Sequence, residues 1–182
     1  MPRRSSRLTV LLVHAYPLVR AGMRSMLAAP DIRVTGEAAT AADALRLVRK
    51  RAPDLVMMGC YPATADECSE LLEKVKAQSP STSVILITGS ERTFDLSRAI
   101  RLGCSGYLNP RVTRKDLLKA LRAIARGECI IDPELVLDVR LEQLDARAEV
   151  QLRRKNRRLT TRAARRFACS RRRRRALDPV NA

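Results

Sequence analysis

Few side chains in this sequence are equipped for chemistry, and those that are stand where apolar runs stop abruptly. His14, the one histidine, follows LTVLLV. Gly59 and Cys60 follow LVMM, Thr88 closes SVILI, and Tyr107 and Leu108 lead into Asn109 and Pro110. Short apolar, β-branched runs that end in polar or small residues are how buried parallel strands deliver side chains to the carboxyl edge of a sheet, where α/β proteins keep their chemistry. A single imidazole with no second ligand or base beside it is poor material for nucleophilic or metal chemistry. The five cysteines (60, 68, 104, 129 and 169) contain no CxxC pair and show no metal-ligand spacing. They read as reduced, mostly buried thiols, with no metal and no cofactor implied. Asp54 precedes its strand and so stands at the wrong end to serve that edge.

The elements that must position these residues alternate in type. Leu8–Val13 reads as a first strand, and from Pro17 the apolar residues fall at helical spacing, with Pro17 suited to a first turn. Ile32–Glu37 alternates as a half-exposed second strand. Thr40 caps a helix whose inner face is Ala44, Leu45, Leu47 and Val48 and whose end is the basic cluster Arg49-Lys50-Arg51. Leu55–Met58 is the third strand. Ala65–Gln78 is the third helix, with Cys68, Leu71, Leu72 and Val75 inward. Ser83–Thr88 is the most apolar strand and hence the central one. Thr93–Leu102 is the fourth helix with Gly103 as its stop, Gly106–Leu108 the fifth strand, and Val112–Arg126 the fifth helix before Gly127. Five strand–helix units in succession predict an α/β domain built on a parallel sheet.

The charge is uneven. Residues 1–150 carry 23 Lys and Arg against 18 Asp and Glu, whereas residues 151–182 carry 13 against one. The front is an ordinary domain with an aliphatic core, and the back is a polycation that seeks a polyanion. No stretch approaches a membrane span, and the basic Met1–Arg7 is followed by too short an apolar run for a signal peptide, so a cytoplasmic protein is expected. Between the two lies a segment in which Leu137, Leu141, Leu144, Ala148 and Leu152 share one helical face. It predicts a helix that packs back on the domain or pairs with a second copy. The remainder has no sustained period and five consecutive arginines, so it is expected to be disordered in isolation. The boundaries are thus 7–132 for the domain, 133–158 for a helical linker and 159–182 for the basic tail.

The order and wording of the pieces PLVRAGMRSML, DIRVTGEAATAADAL, PDLVMM, SVILITGS, GCSGYL and DLLKALRAIARGE resemble the receiver domain of bacterial response regulators of the LuxR/NarL type. The resemblance implies a flavodoxin-like (βα)5 domain with sheet order 2-1-3-4-5 and its working site at the carboxyl edge. In that family an Asp at the tip of the third strand accepts a phosphoryl group, and two acidic residues after the first strand hold Mg²⁺. A Thr or Ser after the fourth strand and a Lys after the fifth contact the phosphoryl oxygens, and a nearby aromatic reports the state. Mapped onto this chain, the acidic pair falls on His14 and Ala15 and the acceptor on Gly59. The Lys falls at Asn109 or Pro110, and only Thr88 and the switch-position Tyr107 remain. Pro62 also arrives one residue earlier than the family pattern. The pocket is therefore expected to be degenerate: no phosphoacceptor, no catalytic residue and no metal.

Three functions follow as alternatives. The first is an atypical response regulator, a pseudo-receiver that works in transcription regulation without Asp phosphorylation, as a homodimer or with a partner protein. The family's usual dimer surfaces involve the first and fifth helices, or the fourth helix, fifth strand and fifth helix. Here the fifth helix carries the basic face Arg114, Lys115, Lys119 and Arg122. The second is DNA binding through the tail, by Arg153, Arg154, Lys155, Arg157, Arg158, Arg171, Arg172, Arg173, Arg174 and Arg175, without sequence readout. The third is a truncated or frame-shifted product. The family's DNA-binding helix-turn-helix opens on Leu-Thr-x-Arg-Glu. Leu159-Thr160-Thr161-Arg162 is followed by Ala163 and by too few residues for that domain.

Overall fold

The computed structural model describes residues 7–60, 65–88 and 96–132. They alternate as β1 (Leu8–Val13), α1 (Pro17–Met26), β2 (Ile32–Ala38), α2 (Ala41–Arg51), β3 (Leu55–Gly59), α3 (Ala65–Gln78), β4 (Ser83–Ile87), α4 (Leu96–Arg101), β5 (Gly106–Leu108), α5 (Arg114–Ala125) and β6 (Ile130–Ile131). All pairings are parallel, in the order β2-β1-β3-β4-β5-β6. The predicted α/β class and the 2-1-3-4-5 order both hold. The sixth strand was not legible, because a two-residue strand has no period to read. It forms where Gly127, at φ +87°, turns the chain out of α5 and lays Ile130 beside Gly106 and Ile131 beside Tyr107.

Alternation along the strands divides the core between the two sheet faces. Leu11 and Val13 of β1, Val56 and Met58 of β3, and Val84 and Leu86 of β4 pack under α2, α3 and α4. Val10, Leu12, Leu55, Met57 and Ile85 pack on the other face under α1 and α5. Strands covered on both faces read as continuous apolar runs, which is why β1, β3 and β4 were so visible. β2 lies at the edge and reads as half exposed.

Helix starts follow from their caps. The Thr40 hydroxyl accepts from the Asp43 amide at 3.1 Å, and that of Thr113 accepts from the Asp116 amide at 3.2 Å. Thr113 is therefore the residue before α5 rather than its first turn, since its extended backbone frees the side chain to cap. Ala52 closes α2 in the left-handed conformation (φ 40°, ψ 59°), a position that usually takes glycine. The expected start of α4 at Thr93, Pro62 and its loop, the linker 133–158 and the tail 159–182 lie outside the described residues.

Candidate functional site

The strand register brings the suspected residues together. β1 pairs with β3 up to Val13 opposite Met58, so the next step sets His14 beside Gly59. β3 pairs with β4 up to Gly59 opposite Ile87, and β4 with β5 up to Ile87 opposite Leu108. His14, Gly59, Thr88 and Asn109 therefore end four neighbouring strands at one edge.

What occupies that edge is the His14 ring. The imidazole is 6% exposed, and its Nδ1 accepts from the Tyr16 amide at 3.0 Å. A Cβ placed on Gly59 would stand 2.4 Å from His14 Cδ2, 3.1 Å from its Nε2 and 3.4 Å from Met23 Cε. Gly59 is not in the left-handed region, so its backbone does not demand glycine. The space does. A side chain at the tip of β3 and the imidazole at the tip of β1 compete for one volume, and here the imidazole has it.

The loop after β1 is tied by an internal cation. Arg20, its side chain 14% exposed, donates from Nη1 to the carbonyls of His14 (2.6 Å) and Ala15 (3.0 Å), and from Nε to Glu37 (3.2 Å). Arg24 reaches the other oxygen of Glu37 at 2.7 Å. The Arg24 hydrogen bond, joined by that of Arg20, holds the Glu37 carboxyl below its ordinary value against the opposing effect of burial. Sequence reasoning missed Arg20, because a mid-helix arginine looks like solvated charge until the loop it clasps is seen.

Thr88 is 1% exposed, and among the described residues its hydroxyl has no hydrogen-bond partner. Tyr107 is 4% exposed and packs with Val84, Leu86 and Ile100 on the α3–α4 side. Asn109 makes a local turn, its Oδ1 accepting from the Arg111 amide at 2.9 Å while its own amide donates to Asp132 at 3.3 Å. Pro110 is exposed. Asp54 is at the opposite edge, as expected from its place before β3. Its carboxylate accepts from the Thr9 amide (2.8 Å) and hydroxyl (2.5 Å), tying the starts of β1 and β3 together.

A hard divalent cation such as Mg²⁺ needs a cluster of oxygen ligands. His14, Ala15 and Gly59 offer no side-chain oxygen, and among the described residues no group of three or more His, Cys, Asp and Glu is placed to hold a metal. The donor set at this edge does not fit that ion.

The thiols occupy the other face of the sheet. Cys60, Cys68, Cys104 and Cys129 are buried and free of disulfides. Burial pushes the Cys104 thiol up to about 12, and its sulfur donates to the Gly106 carbonyl at 2.9 Å. The basic face of α5 is exposed and partly paired. Arg122 makes a two-pronged pair with Asp31 (2.7 and 2.9 Å), and Arg114 donates to the Ala28 carbonyl, while Lys115 and Lys119 are exposed. The ten tail residues singled out for nucleic acid lie outside the described residues. No helix among the described residues is long and apolar enough to cross a membrane.

Residues 10–122 match the family model described as the response regulator receiver domain. The nitrate/nitrite response regulator protein NarL of Escherichia coli K12 is 31% identical over 128 residues, 70% of this chain and 59% of that protein. The response regulator protein VraR of Staphylococcus aureus Mu3 is 30% identical over 142 residues, 78% of this chain and 67% of that protein. The match thus spans little more than half of the NarL chain. Among solved structures, a LuxR-family two-component response regulator from Aurantimonas is 26% identical, with a TM-score of 0.65 over 77% of this chain and all of that one. With the sheet order, the residues matched and these relatives all in agreement, the chain belongs to the response regulator receiver family, in its LuxR/NarL-type branch.

Proposed function

We propose that this chain is a receiver that no longer takes a phosphoryl group and that regulates through protein contacts. One observation carries the reading. The volume that an acceptor side chain at Gly59 would need is filled by the His14 imidazole, 2.4 Å from where its Cβ would stand. Losing one ligand leaves a weak site, but losing the acceptor and filling its space leaves none. Ala15 removes a further metal ligand of the family pattern, and Arg20 clasps the loop that would carry it.

The surface beside the plugged tip supports contact with protein. Tyr16 is 48% exposed, Leu18 84% and Val19 36%, and the exposed Lys115 and Lys119 lie on α5, which packs beside α1. Apolar side chains so exposed next to cationic ones suit a partner that brings acidic and apolar groups. The test is a magnesium titration of the full chain followed through backbone amide NMR signals. His14, Ala15, Tyr16 and Gly59 are expected to stay in place, and saturable shifts at those residues would overturn the reading.

The charge of residues 151–182 favours a second activity, binding of nucleic acid without sequence readout. Each phosphate neutralised adds roughly −0.9 to the slope of log affinity against log salt on duplex DNA. Replacing the five arginines Arg171–Arg175 by serine is therefore expected to flatten that slope by up to about 4.5 units in an anisotropy titration. An unchanged slope would remove the tail from the account.

A further inference from the structure

We infer that the face formed by the start of α1 and the outer side of α5 is the seat of this chain's own residues 134–149, which an outside protein must displace in order to bind. The inference deepens the contact surface proposed above and rests on that reading of it; what it adds is the occupant.

The seat is apolar on one helix and cationic on the other. Tyr16, Leu18 and Val19 are the large apolar side chains left exposed among the described residues, and they form one patch. Further along α1 the outward positions Ala21, Gly22 and Ser25 are small and exposed, and a Cβ on Gly22 would meet nothing within 4 Å. The surface beyond Leu18 is therefore open for another helix to lie against. α5 packs beside α1. On its outer side Arg122 and Arg126 pair with Asp31 and Glu128, whereas Lys115 and Lys119, one turn apart, have no ion pair among the described residues.

Residues 134–149 lie outside the described residues, and their sequence supplies the complement. At helical spacing Leu137, Leu141, Leu144 and Ala148 make one stripe. Asp138, Glu142, Asp145 and Glu149 each follow one residue later, about 100° further round. An apolar stripe suited to Leu18 thus runs beside an acidic stripe suited to the lysines. Residues 133–150 carry five carboxylates against two arginines, while residues 151–182 carry 13 basic residues against one acidic and would be repelled by the same lysines.

The chain also leaves the domain at the right place. Because every strand is parallel, β6 delivers it to the carboxyl edge, where the Asp132 amide donates to the Tyr107 carbonyl at 2.8 Å. α1 and α5 both begin at that edge, after β1 and β5. Leu117 and Leu121 of α5 pack with Met57, Ile85 and Leu108, which sets α5 between the exit point and α1. From β6 to β1 is four strand spacings, roughly 19 Å in all. A helix over residues 134–149 is about 24 Å long, enough to cross α5 and reach Leu18.

The full chain in ordinary and in heavy-isotope form is mixed in equal amounts and treated with a carbodiimide, which joins a lysine amine to a carboxylate with loss of water. The product is digested and weighed. Amide links are expected from Lys115 or Lys119 to Asp138, Glu142, Asp145 or Glu149, with both ends of the same isotope. Leu18→Asp changes a side chain 84% exposed and leaves every reacting group in place. It is expected to reduce these links about tenfold, the worth of one buried leucine. Links that join the two isotopes would overturn the proposal by making a second copy the occupant, and would leave the contact surface standing. No links from the two lysines to this segment, or links unchanged in Leu18→Asp, would overturn it as well. The readout uses none of the residues followed in the magnesium titration, so the loss of phosphoryl transfer stands or falls separately.

Discussion

Gly59→Ala adds one methyl group at the point where the domain has no room for it. The new Cβ would stand 2.4 Å from His14 Cδ2, about an ångström inside ordinary contact between carbon atoms. The ring cannot withdraw freely, because it is buried and its Nδ1 accepts from the Tyr16 amide at 3.0 Å. Turning it off its rotamer costs about 0.5–1.5 kcal/mol, and the strained hydrogen bond costs a similar amount. A destabilisation of about 1–3 kcal/mol is therefore expected, the range typical of overpacking. The same substitution made in a His14→Ala background meets only the flexible end of Met23, and its cost is expected to fall below about 0.5 kcal/mol. Urea unfolding of the four proteins in this cycle, followed by circular dichroism, measures the coupling directly. Equal costs in the two backgrounds would refute the claim that His14 and Gly59 share one volume.

Three further substitutions probe the surroundings. Thr88→Val replaces a buried hydroxyl that has no partner among the described residues and is expected to raise stability by about 1 kcal/mol in urea unfolding. Gly106→Ala places a Cβ 2.8 Å from Ile124 and 2.9 Å from Ile85, and is expected to cost about 1–3 kcal/mol in the same assay by lifting α5 from β5. Arg24 and Arg20 hold the Glu37 carboxyl below its ordinary 4.5. The contribution of this pair is thus complete above that value and is lost as pH falls through the lower folded value. Unfolding midpoints measured from pH 6 downward should show Glu37→Gln losing less stability than the parent below roughly pH 4.5; parallel curves would contradict the pairing.

The sheet was legible because its central strands are buried on both faces and appear as unbroken runs, LTVLLV, LVMM and SVILI. The cap at Thr40 was legible because it follows a local rule that packing does not override, whereas Thr113 reads from the sequence as part of the opening of α5 and is instead its cap. The site was only half legible. Its residues are named in the order of the strand tips, but that Gly59 is small because His14 fills its space is a fact of register. It appears only when Val13 is set beside Met58. The Arg20 clasp was hidden likewise, since it joins α1 to the loop after β1 and to β2 through a side chain that looks ordinary in isolation. β6 escaped because Ile130–Ile131 is strand by pairing alone.

The central claim, that phosphoryl transfer has left this receiver, has a direct measurement. The full chain is incubated with a small acyl phosphate donor and Mg²⁺, and its intact mass is followed before and after hydroxylamine, which cleaves acyl phosphates. The account predicts no phosphorylated species at any time. A mass increase of one phosphoryl group that hydroxylamine removes would contradict it, because a carboxylate would then be doing the work that Gly59 cannot.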